Sequence, residues 1–479
     1  MRLKRWIALL LALLLLFSLT ACNGGTTTPG GTPDETPGET PEPTPNPDPD
    51  PNPDPEPEPE VPTISITASS PYAAVGNMLE FTVDGTGFDR EALTFTATAG
   101  MTNTPQKTEQ GCKMRVTKEG ELTVTATSGE LSATCKVTVF PESATVGVDD
   151  ENIYYLGRHE KSGDKILLNN TGAGFEITFY GKTLSARMGN LGGEAIFAVM
   201  LDGEKDPEAC KINLTTDTKS GKVILATFDA PGLHTVRVQK ITEEQISRAS
   251  FSGLFIEKGG ILPHQPTYSM KLEVYGDSIT AGFGNMREIG AADDQKQQNG
   301  LLTYAAITAS RLNAEYRAFC QSGIGLYTNP YGNTRWMKDV YSNASPASDT
   351  RYDMTAYTPD IVLINIGTND IWAGNGSAGN APFSAAAYQE NYVKFVKDLH
   401  AVYGDSTTFI LCSGMMETGL ASSVTAAMNT LHGDGILNVY NVVLPQSYGG
   451  HPHREVHEAA AKVLLQEIST IMGIDIPAE

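Results

Sequence analysis

Hydrophobic and polar positions along the chain fall into four regimes. Residues 1–22 open on Arg2, Lys4 and Arg5 and continue as a nearly unbroken apolar run to Cys22. Residues 23–62 have almost no apolar positions. From Thr63 to Pro266 the pattern has period two, in runs such as LEFTVDG, ELTVTAT, GFEITFYGKTLSARM, AIFAVML, KVILATFD and HTVRVQKIT. That alternation predicts strands with one buried face. Past Pro266 the short apolar runs LEVYG, AEYRAFC, DIVLINIG, TTFILC and ILNVYNVV alternate with 3.6-period stretches. One such stretch aligns Tyr388, Tyr392, Phe395, Leu399 and Tyr403, and the last aligns Val456, Ala460, Leu464 and Ile468. Strands alternating with helices predict a parallel sheet covered on both faces.

The period-two region divides in two. Residues 63–140 predict a small all-β domain, and residues 141–266 a second, in which YYLGRH and FSGLFIEKG add further strands and no helical stretch intervenes. A jelly-roll sandwich is the economical arrangement for the second. His159 and His234 within it read as packed or surface residues. Residues 267–479 form the α/β domain.

A chain of 479 residues with 40% apolar content is long enough for roughly three cores. Its formal charge of -22 argues against nucleic acid as a partner, because phosphates would be repelled. Ten of the acidic residues lie between Asp34 and Glu60, where 13 of the 28 prolines also fall between Pro33 and Pro62. Such a stretch has no apolar surface to bury and reads as an extended tether. The segment before it is too short to span a bilayer and reads as an export signal. Leu19-Thr20-Ala21-Cys22 resembles the lipobox of bacterial lipoproteins, which implies lipidation of Cys22, an extracytoplasmic location and a membrane anchor. Of the six cysteines, Cys112 and Cys135 lie in one β-rich region and are candidates to pair, whereas Cys320 and Cys412 fall in apolar strands and read as buried free thiols. No cysteine spacing suggests a metal.

Four blocks in the last domain fall where strands should end. They are Gly276-Asp277-Ser278, Ser322-Gly323-Ile324-Gly325, Gly367-Thr368-Asn369-Asp370 and His451-Pro452. In an open sheet those ends converge on one crevice. There Ser278 supplies a hydroxyl nucleophile and His451 an imidazole to take its proton and return it to a departing alcohol. The backbone N-H groups of Ser278 and Gly323 and the side chain of Asn369 supply donors for a developing oxyanion.

In this order the blocks resemble the SGNH (GDSL-type) hydrolase superfamily, over residues 271–473. The resemblance implies a flavodoxin-like α/β/α fold, Ser278 as nucleophile, His451 as base, and an oxyanion hole of Ser278, Gly323 and Asn369, with no cofactor and no metal. Together with GRH, GLHTVRVQKITEE and SGIGLY, the preceding sandwich is similar to carbohydrate esterase family 2, which implies removal of acetyl groups from polysaccharides such as xylan and glucomannan. The 63–140 region resembles the immunoglobulin-like modules of bacterial surface proteins. Two other functions stay open: deacetylation of the bacterium's own wall or exopolysaccharide, and an inactive lipid-anchored carbohydrate-binding protein.

One departure stands out. The superfamily carries an aspartate two or three residues before the histidine, but Gly449 and Tyr448 occupy those places. Asp434 and Asp370 are alternatives in kind without supporting spacing, and Asp370 reads as a brace for the active-site loop. His453 and His457, four apart, read as structural. Trp372, Tyr331 and Trp336 flank the blocks, as sugar platform or as packing.

Overall fold

The computed structural model describes residues 61–215, 221–332, 334–376 and 380–476. The export signal, Cys22 and nearly all of the tether lie outside the described residues.

Residues 65–140 form two four-stranded sheets face to face. One orders Ser65–Ala68, Met78–Asp84, Gly111–Arg115 and Gln106–Thr108, and the other Tyr72–Ala74, Leu131–Phe140, Gly120–Ser128 and Thr94–Ala97. Alternation decides the burial: in Met78–Asp84, Leu79, Phe81 and Val83 point inward and their neighbours outward. Cys112 and Cys135 are both free, which corrects the suggested pairing. They belong to opposite sheets, Cys112 buried and Cys135 only partly so.

Residues 143–262 build a ten-stranded antiparallel sheet system centred on Gly174–Gly192 paired with Gly221–Lys240. The runs KVILATFD and HTVRVQKIT, read as separate strands, are one strand. Its register jumps from Thr183↔Thr227 to Gly181↔Gly232, leaving 228–231 without ladder partners. Pro231 sits in that irregularity, where its missing N-H costs no ladder bond. Phe175, Phe179, Phe197, Val236, Val238 and Phe251 fill the interior. Tyr72, Phe140 and Tyr180 tie the two β regions together, with ring centroids 6.0 to 6.1 Å apart.

The third region is a five-stranded parallel sheet. Its strands are β1 (Met270–Gly276), β2 (Ala314–Cys320), β3 (Ile361–Asn365), β4 (Thr408–Gly414) and β5 (Val439–Leu444), in spatial order β2-β1-β3-β4-β5. Helices α1 (Ser278–Ala281), α2 (Tyr304–Arg311), α3 (Thr368–Trp372), α4 (Ala385–Tyr403), α5 (Ala421–Gly433) and α6 (Arg454–Met472) connect and cover it. Along β1, Leu272 and Val274 face the core under α2 and α6, while Tyr275 faces the core under α4 and α5. The strand order reverses between β1 and β3, so the crevice beyond their carboxyl ends is the expected ligand site. Cys320 and Cys412 are buried and free.

An ionic contact locks the ten-stranded β region onto this sheet. Glu273, in the middle of β1, is buried and would be an isolated charge without Arg158 of the GRH element. The guanidinium meets Glu273 Oε1 at 2.9 and 3.0 Å and donates to the carbonyls of Tyr341 and Asn343, while Tyr403 and Tyr275 donate to Glu273 Oε2. Removing one partner leaves a buried, uncompensated charge. Arg158→Met is therefore expected to destabilise the folded chain by about 3–5 kcal/mol, read as a lowered midpoint in urea. A midpoint unchanged from wild type would show the pair to be dispensable.

Candidate active site

Ser278 is the first residue of α1, directly after β1. Asp277 caps that helix, its Oδ1 accepting from Ile279 N at 3.0 Å. Such caps satisfy a backbone donor that has no partner within the helix. Burial raises the Asp277 carboxyl to about 7, opposed by that same bond. His451, between β5 and α6, places Nε2 2.9 Å from Ser278 Oγ. This is within the reach needed for proton transfer from the hydroxyl.

The other ring nitrogen is held by a carboxylate that the spacing of the motifs does not reveal. His451 Nδ1 lies 2.7 Å from Asp293 Oδ2, and the His451 backbone N-H donates to the same oxygen at 3.3 Å. Arg287 clamps the pair: its Nη2 is 3.1 Å from Asp293 Oδ1 and donates to the His451 carbonyl at 2.6 Å, while Nη1 donates to the Gly284 carbonyl at 2.8 Å. Phe283 stacks on the imidazole with centroids 4.4 Å apart. Loop 282–303 thus supplies the orienter, its brace and a packing surface. Gly450 makes room for it. The glycine has φ +124°, and a Cβ there would stand 2.9 Å from Asp293 Oδ2. The glycine pair Gly449-Gly450 just before His451, where the usual aspartate is missing, is the one trace of this substitution in the sequence. Neither alternative in kind takes the role: Asp434 pairs with Lys397 at 2.7 Å, and Asp370 is engaged elsewhere.

Burial pulls the His451 imidazole below its ordinary value, and the Asp293 hydrogen bond works against that. Asp293 is itself pushed up by partial burial, but its bonds from the His451 side chain and backbone prevail and hold it low.

The second and third blocks meet beside Ser278. Gly323 follows β2 in a left-handed conformation, φ +78°, that favours glycine. Asn369, near the start of α3, donates to the Ile324 carbonyl at 2.9 Å and approaches Asp277 Oδ2 at 3.4 Å. Asp370 braces the loop, accepting from the N-H groups of Leu326, Tyr327 and Thr328 at 2.7, 2.9 and 3.1 Å. Its burial raises the carboxyl to about 6, with those three bonds opposing.

His457 is fully buried, with Nδ1 accepting from Tyr304 N at 3.1 Å at the start of α2, and burial lowers it to about 3. His453 precedes α6 as its cap residue. Among the described residues no cluster of three histidine, cysteine or acidic side chains could hold a metal ion. His159 packs on Tyr155, and His234 stacks on Phe228 beside Asp202. Tyr331, Trp372 and Tyr448 are 61%, 49% and 90% exposed, whereas the Trp336 ring is half-buried.

Two family models match the chain, carbohydrate esterase 2 N-terminal over residues 155–266 and the GDSL-like lipase/acylhydrolase family over residues 274–464. The chain carries, in that order, a domain matching the N-terminal module of carbohydrate esterase family 2 and a domain matching the GDSL-like hydrolases. That esterase family is one of SGNH-type carboxylic ester hydrolases. The chain is similar to the cellulase/esterase CelE of Acetivibrio thermocellus, 33% identical over 352 residues, or 69% of this chain and 41% of that protein. The chain thus spans less than half the length of that relative. An acetylxylan esterase / glucomannan deacetylase of Cellvibrio japonicus is 27% identical over 313 residues, 63% of this chain and 84% of the relative. Among solved structures, a family two carbohydrate esterase from Clostridium thermocellum in complex with cellohexaose superposes with a TM-score of 0.60 at 28% identity, covering 67% of this chain and 99% of that one. A family two carbohydrate esterase from Cellvibrio japonicus shares the fold at a TM-score of 0.62 and 23% identity, over 69% of this chain and 98% of that one.

Proposed function

We propose that this chain is a serine esterase that removes O-acetyl groups from a polysaccharide of the xylan or glucomannan type, using Ser278 and His451 as the catalytic pair. The observation that carries the reading is the continuous line of contacts from Ser278 Oγ to His451 Nε2 at 2.9 Å and from His451 Nδ1 to Asp293 at 2.7 Å. A carboxylate on Nδ1 holds the proton there and leaves Nε2 free to accept one.

In the first half-reaction Ser278 Oγ bonds to the acetyl carbonyl carbon and its proton passes to His451 Nε2. The oxyanion is met by the N-H groups of Ser278 and Gly323 and the amide of Asn369. His451 then gives the proton to the departing sugar oxygen as the ester bond breaks, leaving acetyl-Ser278. Water repeats the sequence: one of its protons goes to His451, its oxygen bonds to the acetyl carbon, and acetic acid leaves as that proton passes to Ser278 Oγ, ionising to acetate in solvent. Every step balances with water as the only co-reactant.

Tyr331 and Tyr448, on the loops of the second and fourth blocks, and Trp372, at the end of α3 in the third, give a sugar chain exposed aromatic faces to stack on. The two β regions fit a jelly-roll accessory domain and an immunoglobulin-like spacer. Lipidation at Cys22 and the proline-rich tether would hold the enzyme at an extracytoplasmic membrane face. No helix among the described residues is long and apolar enough to cross a membrane. The lipobox favours a second reading, deacetylation of the bacterium's own envelope glycan. Asp293 on His451 argues against an inactive binding protein, because the orienting carboxylate missing from residues 448 and 449 comes from elsewhere.

The test is acetate release, followed by proton NMR, from acetylated xylan, acetylated glucomannan, acetylated peptidoglycan and an aryl acetate. Release from xylan or glucomannan is expected. Release from peptidoglycan alone would transfer the reading to the envelope glycan, and no release from any of the four would overturn it.

A further inference from the structure

Glu243 belongs to the ten-stranded β region, just past the strand Gly221–Lys240, yet its carboxylate ends at the second block of the catalytic domain. Its Oε2 accepts from Ser322 N at 2.7 Å and its Oε1 from Ser322 Oγ at 2.5 Å. Glu243 is 0% exposed. The same side chain is approached by Gln295 Nε2 and Gln298 Nε2, each at 3.4 Å, and Gln298 Oε1 accepts from Glu243 N at 2.8 Å.

The segment that presents it is itself tied down. Lys240 Nζ, fully buried, donates toward the carbonyls of Asn169, Thr242, Glu243 and Ser247 at 2.6 to 3.2 Å, drawing the 242–247 turn around one ammonium. The neighbouring Glu244 accepts from Ser345 Oγ at 2.9 Å and from Ala347 N at 3.0 Å, docking a second loop of the catalytic domain. A buried carboxylate this well anchored is a rigid post, and a residue bonded to it at both backbone and side chain has little freedom left.

We infer that Glu243 is a positioning residue for the esterase reaction: carried by the ten-stranded β region, it fixes Ser322 so that the adjacent Gly323 N-H stays aimed at the oxyanion. That β region is then a structural part of the active site, and more than a glycan-binding attachment. The inference rests on the oxyanion role proposed for Gly323. Glycine with a positive φ has no side chain to hold it, so the restraint must come from its neighbours. A displacement of about 1 Å at a catalytic group costs about 10²-fold in rate.

The experiment compares kcat and KM on an aryl acetate for the full chain and for Glu243→Ala, Glu243→Gln and Ser322→Ala, with Ser278→Ala as control and thermal melting to monitor the fold. Glu243→Ala is expected to lose about 10²-fold in kcat with KM within about threefold, since the donor acts on the transition state more than on bound substrate. Glu243→Gln should retain kcat within about threefold, because the amide oxygen accepts from Ser322 N and its NH₂ group donates to Ser322 Oγ. Loss in Glu243→Gln equal to that in Glu243→Ala would overturn the inference, showing that charge and not placement matters. So would wild-type kcat in Glu243→Ala. Should Glu243→Ala fail to fold, Ser322→Ala decides: it deletes only the 2.5 Å bond, is expected to lower kcat about tenfold with KM unchanged, and overturns the inference if kcat is unchanged. If Ser278→Ala is as active as wild type, the esterase reading itself fails, an outcome separate from all of these.

Discussion

Ser278→Ala is expected to lower kcat on an aryl acetate by about 10⁶-fold. The alanine keeps the capped turn, the sheet and the oxyanion donors, and removes the one oxygen within 2.9 Å of His451 Nε2. His451→Ala should fall as far, and the double variant no further, because nucleophile and base act as one unit and losing either stops acyl transfer. What remains is the acceleration that the oxyanion donors give a water attacking directly, about 10³- to 10⁴-fold over solution. Steady-state rates with burst amplitude measure this. Wild type should release the aryl alcohol in a burst wherever deacylation is the slower step, and the alanine variant should show none. A fall of less than tenfold in Ser278→Ala would remove this serine from the reaction.

Asp293→Asn should lower kcat by about 10²- to 10⁴-fold while leaving the fold intact, since the side chain is partly exposed and on a loop. An amide facing His451 Nδ1 can donate as well as accept. It therefore stabilises the tautomer that carries its proton on Nε2, which cannot take one from Ser278. The pH profile provides the readout that a purely structural role would not move. Catalysis needs neutral His451, so kcat/KM rises with pH through the imidazole's pKa and then levels. Burial sets that pKa below the ordinary 6.5, while the Asp293 carboxylate raises it by favouring the protonated ring. Taking the carboxylate away removes the main opposition to the lowering by burial and by Arg287, leaving only the smaller pull of Glu243. The rising limb of Asp293→Asn should then lie at lower pH than that of wild type, beneath a much lower plateau. A limb at the wild-type position with kcat within threefold would mean that His451 is oriented by something else.

Much of this chain is legible before folding. The parallel sheet follows from five apolar runs alternating with 3.6-period stretches, because strands buried on both faces show no polar alternation to mistake for a surface strand. Ser278, Gly323, Asn369 and His451 are legible because each stands just past the end of a strand or just before a helix, and an open sheet gathers such ends at one edge. Tyr388, Tyr392, Phe395, Leu399 and Tyr403 fall on one helical face by arithmetic, and all are buried in α4.

The continuous strand Gly221–Lys240 is different. Asp229, Ala230, Pro231 and Gly232 look like a turn locally, and only the long partner strand Gly174–Gly192 carries the chain through it. Ladder bonds on either side outweigh a local turn preference. The two thiols at 112 and 135, neighbours in one β-rich region by sequence, fall in opposite sheets and stay free.

What the sequence determined alone is the parallel sheet, the four blocks at its edge and the places Ser278 and His451 occupy, since periodicity and strand-end position are properties of short segments. The tertiary structure decided which groups serve them. Asp293 reaches His451 across 158 residues, Glu243 reaches Ser322 across 79, and Arg158 neutralises Glu273 across 115. Each is an ordinary charged residue in its own stretch; Asp293 stays partly exposed beside His451, while Arg158, Glu273 and Glu243 lose their water on packing. Once buried, a charge must find a partner within hydrogen-bonding distance, and that requirement is settled by how the domains close on one another.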